Sequence, residues 1–234
     1  MMHRAIRSAY VAGLRGGRMV ARKTGILERL EQDASRRNLW LRSLFAIYDF
    51  DDLARLDLPW WTFDAVREVE EFLSKRAGAR IFEWGSGAST MWLSKRAGEV
   101  ISVEHDGEWH EMVTGRLKGD GITNVSLRHV AAQTVGRVGS RKSGFAGQHF
   151  DRYVHAIRDV PGEFDLIVID GRAREACLRE AKARLAPGGV ILFDDFKRQR
   201  YQVAAKASGL KIQRLDGLAV CLPLPDSTAL LSRV

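Results

Sequence analysis

The sequence predicts a doubly wound α/β fold, a mostly parallel sheet with helices on both faces, and three observations carry that prediction. From residue 80 onward, short runs rich in Val, Ile and Phe alternate with helix-length stretches. Strands buried on both faces read as continuous apolar runs, and strand–helix alternation builds parallel sheets. A glycine-rich turn, Gly85-Ser86-Gly87, follows the first run directly. The second run ends in an acid, Glu104, about 20 residues on, where sheets of this kind hold a ribose.

Strands are expected at 80–84, 100–104, 125–130, 164–170 and 190–194, and helices at 89–96, 108–117, 172–185 and 202–208. Ahead of them, Thr62 is a natural N-cap, and Phe63, Val66, Val69, Phe72 and Leu73 recur at helical spacing. Two tail segments, 211–215 and 228–234, are separated by Pro223 and Pro225 and predict an antiparallel pair at the sheet edge. Residues 133–148 break the rhythm with glycines and basic residues. So long a loop is a substrate-side lid or a mobile segment.

The chain divides at about residue 55, with a basic helical extension before it and the α/β domain at 56–234. Residues 1–42 hold ten Lys/Arg against three Asp/Glu, and the rest 27 against 26. Arg4, Arg7, Arg15, Arg18 and Arg22 fall within an arc of about 80° on a helix, although Gly13, Gly16 and Gly17 weaken it. The readings for residues 1–24 are a solvated arm or a contact with a membrane surface or a protein. A second helix is expected from Ile26 to about Tyr48, then a connection at the acidic Asp49-Phe50-Asp51-Asp52 or at the following Arg55-Leu56-Asp57. With a near-neutral main domain, nucleic acid is not expected as a partner. No stretch approaches a membrane span or a signal-peptide core. The expected location is the cytoplasm, with any membrane contact peripheral. Cys177 and Cys221 form no metal-ligand or disulfide pattern.

The chemistry concentrates in IFEWGSGAST, residues 81–90. Glycines let the backbone turn sharply beside a ligand, and the helix that follows offers free N–H groups. A dinucleotide fingerprint needs Gly or Ala where Thr90 stands. Glu83, just before the loop, favours an ammonium group over a pyrophosphate. No Lys-Ser/Thr follows, so a P-loop is disfavoured.

Glu83-x-Gly85-x-Gly87 with Glu104, together with 164–195 and its Leu-x-Pro-Gly-Gly turn, resembles the class I S-adenosylmethionine (SAM)-dependent methyltransferases. The likeness covers about residues 60–234. A small bacterial subgroup is similar in more detail, through E-x-G-S-G-x-S-T at 83–90, V-E-H-D-x-x-W at 103–109, D-G-R-x-R-x-x-C at 170–177 and R-x-x-Y at 198–201. Ser89 replaces the wider family's third glycine.

The resemblance implies SAM as cofactor. Glu83, Gly85, Ser86 and Gly87 would hold its methionine end, with Asp170 nearby. Glu104 would take the ribose hydroxyls, and His105 and Ala132 would border the adenine. The acceptor would sit by Asp170, Arg172, Arg174, Asp194, Asp195, Arg198 and Tyr201, at the ends of the fourth and fifth strands. The expected acceptor is a hydroxyl of a small molecule or saccharide. Two routes to its proton stay open. Mg²⁺ held by Asp170, Asp194 and Asp195 could lower its pKa. Alternatively, Asp170 or Asp194 acts as base while Arg172 orients an acidic or sugar substrate. The catechol-type enzymes carry a lysine where Ala173 stands. The alternatives to this reading are a nicotinamide-dependent oxidoreductase on a similar fold and a non-catalytic SAM-binding scaffold.

Overall fold

The computed structural model describes residues 2–33, 35–142 and 144–233. The side chains of residues 2–10 and 15 lie outside the described set, and with them Arg4, Arg7 and Arg15 of the basic stripe. In chain order come α1 (Met2–Lys23), α2 (Ile26–Gln32), α3 (Arg36–Leu44), α4 (Phe50–Leu56) and α5 (Phe63–Ser74). The alternating half holds β1 (Arg80–Trp84), α6 (Ala88–Ser94), β2 (Glu99–Glu104), α7 (Gly107–Gly119), β3 (Val125–His129), α8 (Asp151–His155) and β4 (Phe164–Ile169). It continues with α9 (Arg174–Ala183), β5 (Leu185–Phe193), α10 (Gln199–Ala207), β6 (Lys211–Gly217) and β7 (Asp226–Ser232).

The seven strands lie in the order β3-β2-β1-β4-β5-β7-β6. Pairing is parallel from β3 through β5 and antiparallel from β5 to β7 and β6. The expected doubly wound sheet with an antiparallel C-terminal edge is therefore the fold observed. Side chains alternate strictly between its faces, as a period of two requires. Ile81, Val100, Leu166, Val168, Leu192 and Leu230 pack with α5 and α6. Phe82, Trp84, Ile101, Val103, Ile167, Ile169 and Phe193 pack with α8, α9 and α10. The order reverses between β1 and β4, whose carboxyl ends splay into a crevice. Crevices of this kind bind the ligands of such sheets.

Upstream, the expected single helix at 26–48 is broken. Asp33 leaves the helical region, and Ser35 caps α3 by accepting from Asn38 N–H. The expected acidic connection is instead a helix start: Asp49 accepts from Asp52 N–H at 2.8 Å and caps α4. Runs of Asp at a chain turn read equally as loop or as N-cap plus first turn, and the apolar Leu53 and Ala54 that follow decide for helix. The extension packs on the domain through Ala46, Ile47, Phe50 and Leu53, which meet Ala88 and Met91 of α6 and Val113 and Leu117 of α7. Among the described residues, no helix is long and apolar enough to cross a membrane.

Candidate functional site

The crevice opens into a cavity of about 980 Å³, near the upper end of ligand-pocket sizes. On the β1–β2 side it is lined by Gly85, Ser86, Gly87, Glu104 and His105. On the β4–β5 side it is lined by Asp170, Arg172, Arg174, Asp194, Asp195, Arg198 and Tyr201. Twelve of the fourteen residues singled out in the sequence thus share one cavity.

Glu83 is the first exception. Its side chain is fully buried on the α6 face of the sheet, since residue 83 points the same way as Ile81. Ser89 Oγ donates to it at 2.5 Å, Thr90 Oγ1 at 2.5 Å and Ser102 Oγ at 2.6 Å. Thr90 Oγ1 also accepts from Gly87 N–H at 2.9 Å. Glu83 therefore clamps the glycine loop from beneath instead of meeting a ligand. Burial, stronger than the three hydroxyl donors, raises its pKa to about 7. Ser89, which stands where the wider family has its third glycine, thus serves this carboxylate. Ala132 is the second exception. It packs partly buried against the core and lines a separate shallow depression with His129, Val130 and Arg152.

Glycine is required where the two loops touch. At Gly85, φ is +96° and a Cβ would lie 2.8 Å from Gly171 Cα. At Gly171 a Cβ would lie 1.9 Å from Tyr153 Oη. Gly171→Ala should therefore cost about 1–3 kcal/mol by overpacking. Adding Tyr153→Phe, which removes the obstructing oxygen, should recover part of that loss in a thermal-melt comparison. Equal melting of the single and double variants would refute this contact.

Glu104 is 5% exposed. Its Oε1 accepts from His105 N–H at 2.7 Å and Asp106 N–H at 2.9 Å, and its Oε2 from Ser86 N–H at 3.1 Å. Burial pushes its pKa up, but His105 and these N–H donors outweigh it and hold the carboxyl below its usual range. It is thus a fixed anion at the mouth of β2. His105 Nδ1 lies 2.5 Å from Glu104 Oε1, while its Nε2 accepts from Arg172 Nε at 3.3 Å.

Across the crevice, Arg174 is 7% exposed and lies among three carboxylates. Its Nη2 is 2.8 Å from Asp170 Oδ1 and 3.3 Å from Asp195 Oδ2, and its Nη1 is 3.5 Å from Asp194 Oδ2. Asp194 Oδ1 also accepts from Thr228 Oγ1 at 2.9 Å. Burial, the largest influence, raises Asp170 to about 6 against the pull of Arg174. Burial and the neighbouring Asp170 raise Asp194 well above the usual range. The acids that were to hold Mg²⁺ do not fit a metal: the guanidinium occupies the space among them. No trio of metal-ligating side chains occurs among the described residues. Backbone strain marks both loops, since Ala173 and Asp195 adopt φ of +50° and +59°.

Trp109, which closes the V-E-H-D-x-x-W motif but was given no role, also lines this cavity, as do Tyr48 and Arg200, to which the sequence did not point. Trp109 Nε1 donates to Ser86 O at 2.7 Å and lays its ring over Gly87. Its place one turn into the helix after Glu104 was the available signal. Tyr48 stacks edge-on with Trp60 at 5.2 Å. Tyr48, Asp49, Phe50 and Leu53 bring the extension into the cavity wall. The 133–148 loop contributes Gly139, Ser140, Arg141 and Lys142 to the mouth. Its base is pinned by Asp151, which accepts from Arg137 and Val138 N–H.

Residues 82–196 match the family described as a methyltransferase domain. The fold is shared with an rRNA methylase from Streptococcus thermophilus, at 12% identity, TM-score 0.52, 72% of this chain and 96% of that one. It is shared likewise with a candidate rRNA methylase from Clostridium thermocellum, at 11%, 0.53, 76% and 99%. A methyltransferase candidate from Streptococcus mutans, solved with S-adenosylhomocysteine (SAH), aligns at 12%, 0.50, 71% and 96%. No curated protein matches the sequence. Residues 82–196 thus form a methyltransferase domain on a Rossmann-like fold, and SAM is the cofactor that such a domain uses.

One expectation is corrected here. Nucleic acid was set aside in favour of a small-molecule or saccharide acceptor, yet this fold is that of rRNA methylases. The near-neutral charge of the main domain, summed over its whole surface, carries no geometry: Arg141, Lys142, Arg172, Arg198 and Arg200 line the same cavity as the aspartates.

The residues present fit SAM. The paired glycines leave the backbone bare at the crevice, and Glu104 stands at the β2 edge. Glu104→Ala should weaken SAH binding by about 1–3 kcal/mol as ribose hydrogen bonds are lost. Unchanged affinity by calorimetry would remove Glu104 from the cofactor site.

Proposed function

We propose that the chain transfers a methyl group from SAM to a hydroxyl oxygen, with Asp194 as general base. The observation that carries this is a pair of cavity-lining carboxylates, Asp170 and Asp194, both raised in pKa and facing the glycine loop across the crevice. A hydroxyl must lose its proton as it attacks, whereas a neutral amine attacks with its lone pair, so a poised base favours oxygen as acceptor.

SAM, when bound, supplies a methyl carbon on a cationic sulfur, which departs neutral. Gly85 and Gly87 let the cofactor approach the sheet, and Glu104 receives its ribose. Asp170, tied to Arg174 and beside Gly171, is the acid placed for the cofactor's ammonium group, the role first expected of Glu83. Arg174 orients Asp170, Asp194 and Asp195 as one unit. As the acceptor oxygen bonds to the methyl carbon and the carbon–sulfur bond breaks, the hydroxyl proton passes to Asp194. Thr228 holds Asp194 in register by donating to its other oxygen.

The assay is transfer of labelled methyl from SAM to hydroxylated acceptors, RNA ribose included, with the methylated atom located by mass spectrometry. A methyl recovered on nitrogen or carbon would overturn the oxygen assignment.

A further inference from the structure

The cations at the cavity mouth are not equivalent. Arg174 is engaged by three aspartates, Arg198 pairs with Asp195 at 2.9 Å, and Arg200 has Glu175 at 3.7 Å and Tyr201 Oη at 3.0 Å. Arg172 has no carboxylate partner among the described residues. Its Nε lies 3.3 Å from His105 Nε2, and its guanidinium lies 5.3 Å from the centre of the Phe145 ring. Half-buried, the group gives up part of its hydration as it lines the cavity, and its outer N–H groups have no protein acceptor among the described residues. A planar guanidinium so held is pre-set for two parallel hydrogen bonds to an oxyanion. A second cation belongs to the same place. Arg141 is exposed, lines the cavity, and precedes by four residues the Phe145 that rests on Arg172. Four residues span at most about 14 Å.

We propose that Arg172, with Arg141 on the facing loop, forms a subsite for a phosphate group on the methyl acceptor. This rests on the methyl-transfer reading and narrows its substrate class. Two guanidiniums on separate loops match a group that carries up to two charges and has oxygens on several sides, which a single carboxylate does not. The phosphate belongs to a polynucleotide or to a smaller phosphorylated acceptor; the chemistry at Arg172 is the same, and the test separates the two.

The experiment is calorimetric titration of the full chain saturated with SAH, using inorganic phosphate and, separately, a short single-stranded RNA. Wild type should bind phosphate, and Arg172→Gln should bind it about ten- to hundredfold more weakly, the loss of a charge-assisted pair. Arg141→Gln, on an exposed loop, should weaken it less while leaving the melting temperature unchanged. SAH affinity should stay at the wild-type value in both. RNA that binds more tightly than phosphate, with salt-dependent affinity and the same loss on Arg172→Gln, supports the subsite with a polynucleotide as source. RNA no tighter than phosphate supports it with a smaller acceptor. The proposal is overturned if phosphate fails to bind SAH-loaded wild type, or binds both variants equally. It is also overturned if Arg172→Gln lowers SAH affinity by the same factor, because Arg172 would then serve the cofactor's own carboxylate. Absence of SAH binding to wild type would instead sink the methyl-transfer reading, and this subsite with it.

Discussion

Asp194→Asn should lower kcat by about 10²–10⁴-fold, the usual worth of a positioned general base, while SAH affinity stays close to wild type. Asparagine keeps the shape and can still accept from Thr228, so the fold has no reason to change. What is lost is a site for the hydroxyl proton. The pH profile gives a second, independent reading. An ordinary aspartate titrates at about 3.9, but burial and the neighbouring Asp170 push Asp194 well above that. The base works deprotonated, so activity falls as pH falls through the raised pKa. Asp170 and Asp194 interact closely and titrate as a pair, so the profile reports the pair.

With SAM limiting, the acid limb reflects the free enzyme and should lie well above the ordinary aspartate range. With SAM saturating, a sulfonium stands close by and favours the ionised carboxylate, so the limb should move to lower pH. In Asp194→Asn the residual activity should show a much weaker limb. A variant with wild-type kcat, or a wild-type limb near pH 4 under both conditions, would remove Asp194 from the chemistry.

The sheet was legible because its strands are buried on both faces and their apolar runs are nearly unbroken. Five parallel strands and the antiparallel tail fall close to where the sequence put them. The same period of two held the clue that Glu83 would not reach the cavity, since residues 81 and 83 must share a face. Ser102, a lone hydroxyl inside the apolar run of β2, sits in register beside Glu83 and was a second clue. The short helix α8 escaped notice because five residues give no helical period to read. The arginine cluster at the mouth escaped because Arg141, Arg172 and Arg198 are far apart in the chain, and net charge carries no geometry. The sequence does allow Arg172 and Arg174 simply to pair with the nearby acids, and Arg174 does so. An acid-Gly-Arg-x-Arg sequence states the charges without saying which one points inward.

The sequence divides the chain at about residue 55, and we propose that the extension and the α/β domain unfold together. Arg42 is the residue that tests this. It is 1% exposed, donates to both oxygens of Asp52 at 2.9 and 2.7 Å, and reaches Glu31 Oε1 at 2.6 Å. Arg55 grips the same two acids from α4, and Arg18 of α1 reaches Asp52 and Asp49. One ionic network thus ties α1 through α4, and Asp52 at its centre is 2% exposed. Arg42→Met leaves that buried charge short of its bidentate partner, and removing one member of such a pair costs about 3–5 kcal/mol. Adding Asp52→Leu should recover part of the loss, because a buried apolar contact replaces a buried charge that has lost its bidentate partner.

Acid should act in the same direction. Glu31 is held down to about 2, chiefly by Arg55 with Arg42 assisting. Its contribution is therefore complete above the unfolded value of about 4.5 and is lost as pH falls toward 2. That loss should be smaller in Arg42→Met, where one of its two cations is gone. Because Phe50 and Leu53 pack on α6 and also line the cavity, the variant should melt in one transition at lower temperature and bind SAH more weakly near that transition. Two separate transitions, with the upper one at the wild-type temperature and SAH binding intact, would show instead that the extension is an independent unit.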